Sequence, residues 1–191
     1  METVKHFLDV GANIGQTFDD FLNKTTAFDG QHVWCLEPSP RHVPALMAAA
    51  DKLRQRYKIH VCPFGLSDQT TLAKFYQKDD DKGDSLAQFL YADHETKNIE
   101  VGYELCVSVL SITDFLNFNT KPTDDVTIKL DCEGAEYEIL SDLFINGEKL
   151  VSRIEKIYLE LHTTEHNHPK NAKPLIVGLE RMGINFEQWK F

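Results

Sequence analysis

The sequence predicts an α/β protein: a mostly parallel sheet with helices on both faces, forming a single domain over residues 1–191. Two observations carry this. Short apolar runs of strand length alternate with helical patterns along most of the chain, the rhythm of a parallel sheet joined by crossover helices. Glycines and acids then gather where the apolar runs end. The size agrees, since 191 residues at 42% hydrophobic and 26% charged is enough for one core and too short for a second domain.

Residues 6–10 read as a strand that ends at a glycine-bearing turn, and residues 16–22 as the helix that follows. Residues 32–36 are the next apolar run. Residues 41–57, rich in Ala, Leu and Met, predict a long helix, and residues 58–62 a third strand. The middle departs from this alternation. Residues 71–76 and 104–110 look like strands and frame a polar, charged stretch at 77–98, so a small extra β excursion is expected around 70–110. Ser111, with Asp114 three positions on, is an N-cap pattern for a short helix through Leu116. Residues 126–131 (Val-Thr-Ile-Lys-Leu-Asp) are a fourth strand, 135–143 a helix, and 154–161 a fifth strand. Residues 174–182 are a helix stopped by Gly183.

The charge balance narrows the function classes. Twenty Lys+Arg stand against 30 Asp+Glu, a formal net charge of −10. That argues against a phosphate-backbone binder and against docking on anionic membranes, so neither nucleic acid nor membrane is an expected partner. The basic run Lys52, Arg54, Arg56 and Lys58 reads as a solvated face. The opening residues lack a secretory pattern. Cys35, Cys62, Cys106 and Cys132 are widely spaced among apolar residues and read as small buried hydrophobes. A cytoplasmic location is the expectation.

Three segments carry chemistry. The first is Asp9-Val10-Gly11-Ala12-Asn13-Ile14-Gly15-Gln16-Thr17, a strand entering a turn and a helix. Its glycines allow a tight turn and close approach of a ligand to the backbone. Its spacing is neither the dinucleotide fingerprint nor a phosphate loop. The second is Glu37-Pro38-Ser39-Pro40, an acid at the end of strand two, where α/β folds hold ribose hydroxyls. The third is Lys129-Leu130-Asp131-Cys132-Glu133-Gly134-Ala135-Glu136, which delivers Asp131 and Glu133 to the carboxyl end of the fourth strand. If the backbone stays extended, the two acids project to one side.

In this order and spacing the three motifs resemble the FkbM family of S-adenosylmethionine-dependent methyltransferases, over about residues 5–162. Phe64-Gly65-Leu66-Ser67-Asp68 and the run from Val109 to Leu116 add to the likeness, and Gly83-Asp84-Ser85-Leu86 does so loosely. The resemblance implies a class I Rossmann-like α/β/α sandwich and O-methyl transfer. By position it implies that Asp9, Gly11, Ala12, Asn13 and Gly15 line the methionine and ribose end of the cofactor, with Thr17 capping the helix beside them. Glu37 and Pro38 would meet the ribose, Phe64, Gly65, Leu66 and Ser67 would border the adenine, and Asp131 would face the cofactor or the acceptor. Folds of this class usually close with an antiparallel strand pair. Only residues 184–191 remain for it, so one strand is either missing or contributed otherwise, and dimerisation is left open.

An alcohol is a poor nucleophile and needs a base or a metal ion to lose its proton. Asp131, Glu133 and His162 are the catalytic candidates. Glu160 and His162 follow strand five two positions apart, so Asp131, Glu160 and His162 form a candidate divalent-metal set suited to Mg²⁺ or Mn²⁺. A zinc reading of His162, His166 and His168 is disfavoured, for want of a cysteine partner. The expected acceptor is a sugar or glycan hydroxyl, with a deoxyhexose such as rhamnose as one form. A non-sugar metabolite and a nicotinamide-dependent Rossmann oxidoreductase are the alternatives. The loop at 77–98 is the expected source of acceptor specificity, and Phe89, Leu90 and Tyr91 either stack on a substrate sugar or pack against the sheet.

Overall fold

The computed structural model describes residues 3–78, 84, 86, 101–162 and 169–189. In chain order the elements are β1 (Lys5–Val10), α1 (Gln16–Asp20), β2 (His32–Leu36), α2 (Val43–Asp51), β3 (Lys58–Cys62), β4 (Gly65–Ser67), β5 (Thr71–Lys78) and β6 (Val101–Ser111). They continue with α3 (Ile112–Asn119), β7 (Asp125–Leu130), α4 (Glu136–Asn146), β8 (Ile154–Leu159), α5 (Pro169–Arg181) and β9 (Asn185–Gln188).

Six strands form one sheet in the order β3-β2-β1-β7-β8-β9, and every neighbouring pair is parallel. The alternation of β1 shows how the sheet is covered. Leu8 and Val10 enter a core with Leu36, Ile128, Phe115, Ile139 and Leu179, which brings α3, α4 and α5 onto one face. Phe7 points the other way, into a core with Phe18, Val33, Cys35 and Leu46 from the α1 and α2 side. The result is the Rossmann-like three-layer sandwich expected from the sequence. Between β3 and β7 the chain builds a second, three-stranded sheet in the order β4-β6-β5, which is the predicted excursion.

Among the described residues the sheet lacks the closing antiparallel pair usual in folds of this class. β9 lies directly beside β8 and runs parallel to it, so among the described residues no antiparallel strand closes this edge. Several predicted boundaries also move. The helix expected over 41–57 stops at Asp51. Beyond it, Tyr57 donates to the Leu22 carbonyl at 2.8 Å, and Arg56 reaches Asp29 and the Thr25 carbonyl, contacts that a continued helix could not make. β8 ends at Leu159, leaving Glu160 and His162 on the loop after it. Ser111 does cap α3, its hydroxyl accepting from the Asp114 N–H at 3.0 Å. Of the four cysteines, all free, Cys35 is buried but Cys106 is exposed on the outer strand surface. No described helix is long and apolar enough to cross a membrane. Residues 79–83, 85 and 87–100, and with them Phe89, Leu90 and Tyr91, lie outside the described residues, as do His166 and His168.

The strand order reverses between β1 and β7, and the crevice above their carboxyl ends is where open α/β sheets bind ligands. Gly11 opens that crevice with φ +79, and a Cβ placed on it would lie 1.9 Å from the Asp131 carbonyl oxygen. Gly11→Ala therefore forces β1 and β7 apart. We expect a loss of at least about 2 kcal/mol in urea unfolding, the cost of a strained non-glycine residue plus the displacement; a loss below 0.5 kcal/mol, on the order of a neutral surface change, contradicts the packing described.

Candidate active site

The turn after β1 is fastened to the end of β2. Gly11 and Ala12 both donate their N–H to the Leu36 carbonyl, at 3.0 and 3.1 Å. Asn13, in a left-handed conformation with φ 49, donates its N–H to Glu37 Oε2 at 2.9 Å. Ser39 donates its N–H to Glu37 Oε1 at 2.7 Å. Glu37 is thus almost fully buried, with its carboxylate fixed by two backbone donors at the wall of a cleft. Leu36, Pro38, Leu66 and Leu86 give that part of the cleft an aliphatic lining. Behind it Asp84 accepts from Arg41 and from the Ser39 hydroxyl, the latter at 3.0 Å.

Under the other end of the cleft lies a buried charge group. Lys129 and Asp9 are cross-strand partners on β7 and β1, and their side chains meet at 3.0 Å. The same ammonium is 3.2 Å from Asp131 Oδ2 and donates to the Gly11 carbonyl at 3.0 Å. The ammonium thus sits among three oxygens, two of them on carboxylates. Burial alone would lower the Lys129 pKa, but the two carboxylates more than reverse this and hold the amine charged. Asp9 is raised by its own burial, against the opposing pull of Lys129.

Asp131 is the first residue beyond β7, and the chain then turns sharply. Glu133 has φ 56 and Gly134 φ 111, so the two acids do not alternate along an extended strand as expected. The turn instead aims both at His162. From His162 Nε2, Glu133 Oε2 is 3.7 Å away, Asp131 Oδ1 3.9 Å and Glu160 Oε1 4.0 Å. The other ring nitrogen, Nδ1, is 3.0 Å from Glu136 Oε1. Glu136 is fully buried at the start of α4 and accepts the N–H groups of Cys132 and Gly134. Burial by itself would lower the His162 pKa; the bond to Glu136 and the charges of Glu136, Glu133 and Asp131 push it up to about 9. Glu160 is raised by burial and by the neighbouring Asp131.

The structure thus brings Gly11, Asn13, Thr17, Glu37, Pro38, Gly65, Leu66, Asp131 and Glu133 to one cleft. Others it places differently. Asp9 lies beneath the cleft behind Lys129, because strand pairing points its side chain into the sheet layer. Ala12 packs in the core on the α1 and α2 side. Thr17 does not cap α1; Gly15 occupies that position with φ 98, and the Thr17 side chain turns toward Asp9. Phe64 packs toward Phe115 at 6.3 Å between ring centres, away from the cleft. Ser67 hydrogen-bonds Asp68 at the surface. Of the metal candidates, Asp131 and His162 come together with Glu133, their ligand atoms all within 4.8 Å of one another; Glu160 is the more peripheral neighbour. Lys129, Glu136 and Trp189 complete the site without having been singled out. Lys129 carried a signal, since an uncompensated Lys in a buried apolar strand demands an acidic partner.

A family model described as "Methyltransferase FkbM domain" matches residues 9–183. No curated protein matches the chain, and no solved structure does.

The raised His162 pKa makes a pH prediction with a definite sign. Its folded value of about 9 lies above the ordinary 6.5. The stabilisation it contributes is therefore complete below pH 6.5 or so and is lost as pH rises through about 9. A midpoint near 9 is expected for His162 in an NMR titration, and Glu136→Gln should lower it. A midpoint at or below 6.5 in the intact protein contradicts the geometry around Glu136.

Proposed function

Because the chain belongs to the FkbM methyltransferase family, we propose that it transfers the methyl group of S-adenosylmethionine to a hydroxyl of a sugar or glycan. The observation that carries the donor half is Glu37. Its carboxylate is held by the Asn13 and Ser39 N–H groups beside an aliphatic slot, which suits a ribose diol joined to a flat base. Gly11 supports it, because it lines the cleft with bare backbone that a ligand can approach closely. Asp20, Asp131 and Glu133 give the far end an acidic lining suited to a cationic donor. These residues fit the cofactor. When bound, it supplies a methyl group on a sulfonium, a leaving group that departs as a neutral thioether.

The chain's own work is to position and deprotonate the acceptor. Asp131, Glu133 and His162 are the group within reach of an incoming hydroxyl. At neutral pH His162 carries its proton, so the carboxylates of Asp131 and Glu133 receive the hydroxyl proton first, and His162 balances the charge of the cluster. General base help of this kind is worth about 10²- to 10⁴-fold in rate. A second reading is favoured by the three converging ligand atoms. Asp131, Glu133 and His162, with Glu160 close by, would hold Mg²⁺ or Mn²⁺, and Glu136 on Nδ1 would orient the imidazole as carboxylates commonly do behind metal-bound histidine. The acceptor chemistry would also admit a hydroxylated non-sugar metabolite. A nicotinamide oxidoreductase does not fit a methyltransferase family.

Calorimetric titration with S-adenosylhomocysteine tests the donor map, and radiolabelled methyl transfer to a panel of glycosides tests the rest. Glu37→Ala should weaken S-adenosylhomocysteine at least tenfold, about 1.4 kcal/mol. His162→Ala should bind it within about twofold but lose turnover, because Asp131 and Glu133 then lack the cation that balances their charge. Normal binding by Glu37→Ala overturns the donor map. Turnover that survives exhaustive chelation excludes the metal reading, and turnover restored only by Mg²⁺ or Mn²⁺ excludes the metal-free base.

A further inference from the structure

A second cavity, of about 470 Å³, opens between the β8–β9 edge of the sheet and α5. Leu159, Leu161, Ile176 and Phe186 give it apolar walls, while Glu160, Glu187 and Gln188 supply polar groups. It is not an isolated surface dent. Trp189 belongs to the wall of both this groove and the donor cleft, and its N–H is anchored to the Leu159 carbonyl at 3.0 Å. Glu160 belongs to the groove and lies 4.0 Å from His162 Nε2. Asp131 and Glu133, which approach the same nitrogen, belong to the donor cleft. The reactive cluster therefore stands between the two cavities and contributes side chains to each.

The parallel placement of β9 is what leaves this groove. With Leu159 paired to Gln188 and no further strand beside β9 among the described residues, Phe186 and Gln188 turn toward α5 at the sheet margin. Leu175 and Ile176 of α5 pack against the core there and stay only partly buried.

We propose that this groove is the acceptor site, and that it takes a neutral polyhydroxylated molecule with an apolar edge and refuses an anionic one. The apolar walls receive the edge that lacks hydroxyls. Glu160 and Gln188 accept or donate hydrogen bonds at the hydroxyl-bearing side. An acceptor carboxylate or phosphate would face Glu160, Glu133 and Asp131 at the junction, with His162 already committed to Glu136; like charges so placed oppose binding. This inference rests on the methyl-donor reading above, and the test separates the two.

Three methyl glycosides that differ only at carbon 6 serve as probes: methyl 6-deoxy-β-D-glucopyranoside, methyl β-D-glucopyranoside and methyl β-D-glucuronide. Saturation-transfer NMR is run with the full chain loaded with S-adenosylhomocysteine, whose own affinity is measured in parallel. The expected order is deoxy-glycoside tighter than glucoside, with no transfer to the glucuronide. Ile176→Trp, which fills the groove, and Gln188→Ala, a mild change at an exposed strand position, should each weaken the deoxy-glycoside, the first at least tenfold and the second about threefold. Both should bind S-adenosylhomocysteine within twofold of the parent chain. The proposal is overturned if S-adenosylhomocysteine binds but none of the neutral glycosides does, if the glucuronide binds as well as the deoxy-glycoside, or if neither substitution changes glycoside affinity. If S-adenosylhomocysteine itself fails to bind, the donor reading falls and takes this one with it.

Discussion

One buried cation organises the ligand-facing end of this fold. Lys129 sits 3% exposed between Asp9 and Asp131 and also bonds the Gly11 carbonyl. Those partners belong to β1, to the turn after it and to the segment after β7, so a single ammonium ties together the two loops that frame the crevice. Its position follows from strand register, because Asp9 and Lys129 are directly paired. A shift of one residue would send the side chain to the opposite layer. Removing one member of such a group strands a buried charge, typically at a cost of about 3–5 kcal/mol. The arrangement also answers an apparent contradiction, a lysine beneath a site that must accept a cation. The positive charge is offset by Asp9 below and by Asp131 at the cleft.

The remaining features read as consequences of where the loops are held. With Gly11 pressed against the Asp131 carbonyl, the next turn has to leave the sheet at once. It does so through two successive left-handed residues, Glu133 and Gly134. That turn delivers Glu136 to the buried start of α4, where it accepts from two backbone N–H groups and from His162. The imidazole is thereby fixed at one nitrogen, leaving the other to face three carboxylates at 3.7–4.0 Å. The same loops divide space into a cleft over β1 and β2 and a groove beside β8 and β9. The acidity of the chain, which as a whole argues against polyanions, is concentrated in part at their junction.

Much of this was legible in the sequence, and the failures have physical causes. Alternating apolar runs located the strands of the main sheet, and the glycines and acids at their ends located the crevice, because those are local signals. Gly11, Asn13, Glu37 and Asp131 were found for that reason. Helix α2 was overextended because composition from 52 to 57 still favours a helix, whereas Tyr57 and Arg56 are drawn into contacts with residues 22–29. Asp9 was placed in the cleft, yet it lies beneath it, since no local pattern tells which face of a strand a ligand will approach. Lys129 and Glu136 went unremarked as site residues because their roles depend on partners up to 120 positions away. The parallel direction of β9 was equally invisible: a four-residue strand carries no record of which way its neighbour runs.

The central claim is that the crevice above β1, β2 and β7 holds the methyl donor with its sulfur toward the Asp131–Glu133–His162 cluster. A crystal structure with S-adenosylhomocysteine tests this most directly. The account predicts both ribose hydroxyls within hydrogen-bonding distance of the Glu37 carboxylate, the base against Leu66 and Leu86, and the sulfur on the Asp131 side of the cleft. Ribose bound away from Glu37, or a sulfur turned from Asp131 and His162, would contradict it.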